Sequence, residues 1–472
     1  MIEIHIENLY ARVNKKKITS VEVEAISKLL SVRVPGYYFS KQFKMGRWDG
    51  FQRFYNRLTG SFYTGLIGFV KANLKDYQFT EVDLRKKVLS FNNSLFLKGI
   101  IPRPYQEQMI EDAIKSERGI ICAPPNAGKT EVAAGVIQIL GHPANFFTHR
   151  LTLLHQTKER FEARLGIKVG IVGRGEVHLE DVNVLSVASV AKRLNDPLIK
   201  DILKNFPIVI SDECHHISAQ TWATCLKECG AYYRYGLSAT PLLRDDISNM
   251  TVRGLLGDEI ASVTNEQLIG WGISATPSVY LFEIKLPTFS KHYPYDKVYE
   301  ESIVFSEYRN GLIMSSAKRF VGLGKSVFII VFRIQHGQIL TEMLRGAGVK
   351  AEFISGEGST PERNHQVLKL FAEKKIPCVI STSISDEGLD VPAMDTLIIS
   401  VGDKSALKTI QRVGRGLRKK KQGENVVTIV DFIDTNNPHL EKHSYSRLGV
   451  YEKMGMKIYE VKNNNWENVV EL

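Results

Sequence analysis

The pattern of hydrophobic and polar positions divides most of the chain into two regions in which short apolar runs alternate with segments of helical spacing. In the first region, from Ile101 to about residue 255, the apolar runs predict buried strands and the intervening segments predict helices. The predicted strands are 119–122, 146–150, 184–190, 206–211 and 232–237, and the predicted helices are 107–115, 131–140 and 151–161. Alternation of this kind indicates an α/β fold with a parallel sheet.

The second region, residues 302–435, repeats the pattern with apolar runs at 326–332, 351–354, 377–382, 396–400 and 426–432. It predicts a second α/β lobe. Between the lobes, residues 256–301 are rich in turn residues and carry three prolines, which predicts a linker region with short strands of its own. Residues 436–472 are polar, with a helix predicted near 440–453, and we treat them as a C-terminal tail.

Residues 1–95 have a different pattern, which predicts a small α+β domain. Ile2 to Ile6 alternates like a strand, and Ser20 to Leu30 has helical spacing with Ser20 as the expected N-cap. The segment holds 16 Lys and Arg against 8 Asp and Glu, and its basic residues are interleaved with aromatic ones. Cations and rings on a sheet suit nucleic acid, so we expect Arg47, Trp48 and Arg53 to contact it. The competing interpretation places the aromatic side chains in the core, which is where aromatics usually lie.

Composition and charge indicate what kind of partner the protein binds and in which compartment it lies. The net charge of +11 indicates an anionic partner, and most of the excess lies in the first 95 residues. Five cysteines in 472 residues do not form a disulfide framework and fit a reducing cytosol, so we expect a cytoplasmic protein, in the host cytoplasm if a phage encodes it. No apolar run approaches the roughly 18 residues of a membrane span, so no membrane partner is expected.

The segment from Ala123 to Thr130 predicts a phosphate-binding loop. A predicted strand precedes it, and Gly-Lys-Thr opens the predicted helix that follows. The free backbone N–H groups of a helix start attract phosphate, and Lys129 adds a charge at the β- and γ-phosphates while the Thr130 hydroxyl ligates Mg²⁺. Two residues depart from the general pattern, because Ala123 and Asn126 stand where glycines are common. The alternative is a chance Gly-Lys-Thr in a strand–helix turn.

Asp212 and Glu213 follow an apolar strand and form the predicted acidic centre. In a parallel sheet the carboxyl ends of strands converge on the ligand crevice. Asp212 is expected to hold Mg²⁺ and Glu213 to polarise the attacking water, whereas the alternative is a strand end that caps the next helix. The nearby Cys214, His215, His216, Cys225 and Cys229 allow a zinc site as a minor alternative, but the spacing lacks two tight ligand pairs.

The segment from Gln411 to Arg418 is the part of the second lobe that most strongly indicates a function. Two arginines three positions apart, Arg415 and Arg418, point the same way on a helix and suit phosphate oxygens. Alternatively, the segment is an ordinary basic helix that continues into three lysines.

Taken in order, these segments resemble the motifs of a superfamily 2 helicase of the DExH type. Arg103 to Gln106 resembles the adenine-reading Q motif, Ala123 to Thr130 motif I, Thr148 to Arg150 motif Ia, Asp212 to His215 motif II and Ser238 to Thr240 motif III. Residues 381–392 resemble motif V and residues 411–418 motif VI. The resemblance covers about residues 100–435 and implies two RecA-like lobes, 100–255 and 302–435, with ATP and Mg²⁺ between them.

The resemblance also implies residue roles. Catalysis is expected from Lys129, Glu213, Gln411, Arg415 and Arg418, and nucleotide binding from Arg103, Tyr105, Gln106, Ala127, Gly128, Lys129, Thr130 and Asp390. Thr130 and Asp212 are expected at the metal. The nucleic-acid backbone is expected at Thr148, His149, Arg150 and Thr382, and coupling of hydrolysis to lobe movement at Ser238 and Thr240.

The N-terminal domain narrows the subfamily. Its segments 46–50 and 60–66 are similar to the N-terminal domain of phage UvsW-like helicases. That family acts on branched DNA by migrating Holliday-type junctions, regressing forks and unwinding D- or R-loops in replication, recombination or repair. The expected partner is therefore DNA in duplex or branched form, with the oligomeric state open and a monomer compatible with the sequence. Two alternatives remain, an RNA helicase and a non-motor DNA clamp that uses ATP as a structural ligand.

Overall fold

The computed structural model divides the chain into two compact units, Met1–Val263 and Thr264–Leu472. It describes all residues except 90–93, 125–126, 150, 219, 240, 243–246, 275, 289–293, 357–358, 383–393, 403–425 and 454, and it leaves the side chains of 151–153, 218, 276, 361 and 453 undescribed. Each unit contains an eight-stranded, mainly parallel sheet, and the first unit also holds the small N-terminal domain. This architecture confirms the predicted α/β fold class.

The N-terminal domain is built from two small sheets. The four-stranded sheet has the order β5-β2-β1-β6, and β3 pairs with β4 in an antiparallel ribbon. The strands are β1 (Ile2–Ile6), β2 (Tyr10–Val13), β3 (Ser31–Arg33), β4 (Phe51–Arg53), β5 (Ser61–Tyr63) and β6 (Phe79–Asp83). The helices are α1 (Ser20–Leu29), α2 (Lys41–Lys44) and α3 (Ile67–Asn73), with single 3₁₀ turns at Tyr37–Phe39 and Thr64–Leu66.

The start of α1 differs from the prediction. Its N-cap is Thr19, not Ser20, because the Thr19 hydroxyl accepts from the Glu22 backbone N–H while the Glu22 carboxylate accepts from the Thr19 backbone N–H. This reciprocal capping box satisfies two N–H groups that a helix start leaves open. Ser20 cannot provide it, because the glutamate must lie three residues after the cap.

The large sheet of the first unit has the order β10-β9-β11-β8-β12-β13-β7-β14, and only the β9–β10 pair is antiparallel. Its strands are β7 (Arg118–Cys122), β8 (Ala144–Thr148), β9 (Gly170–Gly173), β10 (Glu176–His178), β11 (Val182–Ser186), β12 (Ile208–Asp212), β13 (Tyr233–Ser238) and β14 (Glu259–Ser262). The helices are α4 (Pro104–Ser116), α5 (Lys129–Leu140), α6 (Leu151–Leu165), α7 (Val187–Ala191), α8 (Pro197–Asn205), α9 (Gln220–Glu228) and α10 (Ile247–Leu256), with a 3₁₀ turn at Cys214–Ser218.

The second unit repeats the design, with the sheet order β17-β18-β16-β19-β20-β15-β21-β22 and one antiparallel pair, β21–β22. Its strands are β15 (Thr276–Ile284), β16 (Val327–Ile330), β17 (Ala351–Ile354), β18 (Cys378–Ser381), β19 (Thr396–Ile399), β20 (Val426–Asp434), β21 (Lys457–Val461) and β22 (Val469–Glu471). Its helices are α11 (Asn265–Gly270), α12 (Tyr295–Tyr299), α13 (Glu307–Gly322), α14 (Ile334–Gly346), α15 (Pro361–Ala372) and α16 (Pro438–Lys453); Glu300–Val304 forms a π-helical turn and Lys462–Asn464 a 3₁₀ turn.

The segments predicted as a linker and as a tail contribute to the sheets. From the linker, 256–301, β14 pairs with β7 in the first unit and β15 pairs with both β20 and β21 in the second. From the tail, 436–472, α16 packs against β20, and β21 and β22 extend the sheet. Both sheets are therefore wider than the apolar runs alone predict.

Strand register places the candidate site at one edge of the first sheet. Ser238 at the end of β13 pairs with Cys122 at the end of β7, and Asp212 at the end of β12 pairs with Leu237. The cores of these three strands are buried, which fixes the register because a slip by one residue would expose the apolar side chains. The residues that follow the three strands therefore meet at the carboxyl edge of the sheet.

The N-terminal domain is packed tightly on the first large sheet and on α10. Asn8 donates a side-chain hydrogen bond of 2.8 Å to the Gly230 carbonyl and accepts one of the same length on its own carbonyl from Arg118. Burial, and then the charge of Arg234, lower the pKa of Arg118 to about 9. Arg85, just after β6, bonds Glu117 at 3.0 Å. The domain is thus held by polar contacts as well as by apolar packing.

Gly65 lies where the 3₁₀ turn of the N-terminal domain meets α10. A Cβ atom on Gly65 would overlap the Arg253 carbonyl oxygen and lie 2.7 Å from the Gly254 carbonyl oxygen. Because these obstacles are backbone atoms, we expect Gly65→Ala to lower the free energy of unfolding by about 1–3 kcal/mol. Thermal unfolding of the full chain measures the change. Gly311→Ala is the control, because a Cβ on that helical glycine meets nothing within 4 Å. Equal melting temperatures for Gly65→Ala and wild type would contradict the tight packing.

Candidate functional site

The predicted phosphate-binding loop connects β7 to α5, as the strand–loop–helix pattern requires. Gly128 is the N-cap of α5, has a left-handed φ of 77° and provides no side-chain cap. The first-turn N–H groups of α5 are therefore not capped by the side chain of their N-cap residue, and the helix starts at Lys129. Lys129 Nζ donates to the Ala123 carbonyl at 3.0 Å. Pro125 and Asn126 lie outside the described residues. This geometry fits a polyphosphate at the loop.

The predicted adenine-binding residues hold the loop from the side of α4. Tyr105 Oη and Gln106 Nε2 both donate to the Ala127 carbonyl, at 2.8 and 2.9 Å. Gln106 is buried, and a Cβ atom on Gly128 would overlap its amide nitrogen, so this glycine is required by close approach as well as by its φ. Arg103 donates to Tyr105 Oη at 3.2 Å. The structure therefore brings these three side chains together beside the phosphate loop.

The acidic pair stands at the end of β12. The Glu213 backbone N–H donates to Asp212 Oδ1 at 3.0 Å, and Glu213 has a left-handed φ of 47°. A non-glycine residue in this region costs on the order of 1–3 kcal/mol, a strain that is characteristic of functional sites. Both side chains are partly exposed. Carboxylate oxygens beside a phosphate loop suit Mg²⁺, so the residues present fit an ATP–Mg²⁺ complex.

A polar chain links the acidic pair to β13. His215 Nδ1 lies 3.4 Å from Glu213 Oε2 and 2.9 Å from Ser238 Oγ. The Ser238 carbonyl in turn accepts from the Ala123 backbone N–H at 2.9 Å. The predicted coupling residue therefore contacts the phosphate loop directly and is connected to Glu213 through His215. Thr240 lies outside the described residues. The coupling role of Ser238 and Thr240 stays a prediction.

Three stacked rings lie next to this chain. His149 is exposed after β8, and its ring centroid is 4.7 Å from that of His216 and 5.6 Å from that of Trp222. Trp222 is buried on α9 and donates to Ser211 Oγ on β12 at 3.1 Å. The stack therefore joins His149, a predicted nucleic-acid contact, to the strand that carries Asp212. Trp222 was not predicted and His216 was considered only as a zinc ligand, because neither residue belongs to a motif and only the fold brings His149 to them.

Two known families match separate parts of the chain. Residues 99–243 match the family described as "Type III restriction enzyme, res subunit", and residues 300–420 match the family "Helicase conserved C-terminal domain". The two matches together cover more than half of the chain and include each sequence motif from the phosphate loop onward. The chain belongs to the superfamily 2 helicases.

Curated relatives agree with this assignment, and a solved structure shares the fold. The helicase is 24% identical over 477 residues to "ATP-dependent DNA helicase uvsW" of Enterobacteria phage T4, an alignment that covers 92% of this chain and 91% of that protein. It is 26% identical over 388 residues to "DNA 3'-5' translocase XPB2" of Sulfurisphaera tokodaii, covering 74% and 86%. The fold matches S. cerevisiae Dbp5 with a TM-score of 0.55 and 15% identity, covering 76% and 90%.

These findings establish that the protein is an ATP-dependent helicase that acts on nucleic acid. ATP use follows from the family, and the phosphate loop and acidic pair described above fit it. Among the residues that the structure describes, none of the helices combines the length and apolar character that crossing a membrane requires.

Several predicted residues of the helicase are buried or lie outside the described part of the chain. Thr148 and Thr382 are 2% and 7% exposed, so their side chains lie mostly inside rather than on the surface. Outside the described residues lie Arg150, Asp390, Gln411, Arg415 and Arg418, which remain assigned by motif alone. The structure thus places the first-unit half of the predicted site.

The predicted contacts of the N-terminal domain differ in their surroundings. Arg47 is exposed. Arg53 bonds both carboxylate oxygens of Asp49, and its guanidinium holds the pKa of that carboxyl below the usual value. Trp48 is half-buried and donates to the Phe51 carbonyl at 2.9 Å, so it supports the β3–β4 ribbon. The Arg53 guanidinium is therefore engaged by Asp49, whereas the Arg47 side chain is open to solvent.

The cysteines near the acidic pair lie in the core of the first unit. Cys214, Cys225 and Cys229 are buried, and burial raises the pKa of Cys225 and of Cys229 to about 12. The Cys229 thiol donates to the Cys225 carbonyl at 3.3 Å. Within the described residues no group of three or more His, Cys, Asp or Glu side chains is placed to hold a metal. All three cysteines belong to the hydrophobic core of the first unit.

Proposed function

We propose that this helicase is an ATP-driven DNA motor that acts on branched DNA, in the replication, recombination or repair steps that such junctions arise in. The observation that carries the proposal is the basic N-terminal domain packed on the unit that bears the phosphate loop and the acidic pair. A charged surface of this kind binds the DNA backbone independently of sequence. The alignment with the phage T4 DNA helicase spans 92% of the chain, which supports the choice of DNA.

In this proposal the first-unit residues bind and hydrolyse the nucleotide. Lys129 and the start of α5 hold the phosphates, Thr130 and Asp212 hold Mg²⁺, and Glu213 orients and deprotonates the attacking water. Ser238 and the ring stack around His149 transmit the state of the nucleotide to the DNA contacts. Gln411, Arg415 and Arg418 are proposed to stabilise the charge that develops on the γ-phosphate.

ATP hydrolysis by the purified chain tests the proposal, with a four-way junction, duplex DNA, single-stranded DNA and RNA compared at one salt concentration. We expect the junction to stimulate hydrolysis at least about fivefold more than single strands, the lower range of a typical coupling between two sites. Binding should weaken steeply as salt rises.

Lys129→Ala is the control that separates true stimulation from contaminating activity. Stimulation by RNA alone would instead support an RNA helicase. Tight junction binding without turnover on any nucleic acid would support the non-motor clamp. Either outcome would contradict the proposal of a branched-DNA motor.

A further inference from the structure

The ribbon of the N-terminal domain carries an unusual group of aromatic rings. We call residues 31–53, which comprise β3, β4 and the 3₁₀ turn and short helix α2 between them, the aromatic knob. Tyr37 packs against Phe43 with ring centroids 4.6 Å apart, and the Arg33 guanidinium lies 4.6 Å from the Tyr37 ring centroid. These inner groups form the support of the knob.

The outer groups of the knob face solvent. Phe39 is 72% exposed, Met45 63% and Tyr38 54%, and the Tyr38 and Phe39 ring centroids are 4.3 Å apart. By contrast, Phe54 and Tyr55, which follow β4, are buried in the core of the domain. Adjacent exposed rings on a small domain are unfavourable in water, so such a patch is typical of a binding surface.

The charges of the knob indicate which kind of ligand it binds. Residues 31–53 contain five Lys and Arg and a single acidic residue, Asp49, which is paired with Arg53. Lys41, Lys44 and Arg47 are exposed around the rings. Lysine is depleted at protein–protein interfaces, whereas rings surrounded by cations are the usual means of binding single-stranded nucleic acid.

The knob is also formed in advance of binding. The Val34 N–H donates to the Gly50 carbonyl at 2.8 Å, which closes the ribbon. Gly50 has a φ of 84°, and a Cβ there would lie 2.7 Å from the nearest atom of the Tyr37 ring, so glycine is required. A preformed surface loses little conformational entropy when it binds.

We propose that the aromatic knob is a stacking site for unpaired DNA bases. The rings of Tyr38 and Phe39 stack on the bases, and Lys41, Lys44 and Arg47 contact the flanking phosphates. On branched DNA the knob engages bases that are unpaired at the branch point. The assignment of DNA rests on the proposed function, whereas the stacking rests on the exposed rings and their charges.

Equilibrium binding without ATP tests the proposal, with the full chain, a fork that carries 2-aminopurine in its unpaired arm, and a blunt duplex of the same length. We expect wild type to change the 2-aminopurine fluorescence through stacking. Phe39→Ala should weaken binding to the fork about tenfold and remove the fluorescence change, because one base–ring stack accounts for that much affinity. Binding to the blunt duplex should change less than about twofold.

Two further variants keep the result interpretable. Phe39→Leu preserves apolar volume without the ring and should behave like Phe39→Ala. Leu58→Ala, at a residue 86% exposed in the turn before β5, should behave like wild type. Equal loss on fork and duplex, or no loss on either, would overturn the stacking site. An RNA-stimulated ATPase with an intact fluorescence change on the fork would instead contradict the proposed function alone.

Discussion

Replacement of Glu213 by Gln is expected to lower the rate of DNA-stimulated ATP hydrolysis by a factor of about 10²–10⁴, the usual contribution of a general base. The amide has nearly the shape of the carboxylate, so the contacts of the Glu213 backbone with Asp212 should persist. It cannot accept the proton of the attacking water. Steady-state hydrolysis measures the loss, and a fluorescent nucleotide should still bind because Lys129 and the start of α5 are unchanged.

The control is Glu228→Gln, which removes an exposed carboxylate at the end of α9 in the same unit and should leave hydrolysis unchanged. A second variant uses the strain at Glu213. Because φ is 47°, Glu213→Gly should raise the free energy of unfolding by roughly 1 kcal/mol while it abolishes hydrolysis. Retention of more than a tenth of the wild-type rate in Glu213→Gln would assign the base to another residue.

The first-unit half of the site was largely predictable from the sequence, because parallel topology determines where strand ends meet. Once β7, β12 and β13 are taken as neighbouring parallel strands, the residues after them must lie at one edge of the sheet. Lys129, Asp212 and Ser238 follow from that rule together with the motifs. The ring stack does not, because His149 is far along the chain from His216 and Trp222, and its ring meets theirs only through the fold.

The fold was less predictable at the edges of the sheets. β15 begins with Thr276 and Pro277, and proline there indicated a turn. At the start of a strand the missing N–H is tolerated, and Pro277 pairs with Val427. β21 is only partly buried, with the pattern exposed–buried–intermediate–intermediate–buried, so its apolar signal is weak. Such strands are recognised through their partners rather than through their own composition.

The aromatic residues of the N-terminal domain show a second limit of prediction from sequence. Aromatic residues in general favour the core, and that preference is correct for Phe54, Tyr55 and Phe62. It fails for Tyr38 and Phe39, which have the same residue types but lie on the ribbon outside the four-stranded sheet. Composition cannot separate the two groups, because burial depends on which sheet covers each segment.

Loss of the buried Asp431 carboxylate should strongly destabilise the second unit. It lies on β20 with 1% exposure and accepts from Arg447 Nε at 2.9 Å, Arg447 Nη2 at 3.0 Å and Tyr451 Oη at 2.8 Å. Burial alone would favour neutral Arg447, but attraction by Asp431 outweighs it and raises the pKa of Arg447 above the ordinary value. Asp431→Ala removes the carboxylate that neutralises this buried guanidinium, so we expect a loss of about 3–5 kcal/mol in the free energy of unfolding.

Hydrogen exchange by mass spectrometry measures this loss within the second unit, because exchange should accelerate in β20 and α16 while the first unit keeps its protection. Asp431→Leu combined with Arg447→Met removes both charges and should recover much of the stability, since a buried pair and an apolar replacement are often nearly equivalent. The matched surface control is Glu300→Ala, which breaks an exposed pair with Lys297 and should cost under about 1 kcal/mol. If Asp431→Ala exchanges like this control, then α16 is not held to the sheet by the buried pair, and the last 37 residues are less integral to the unit than their strands imply.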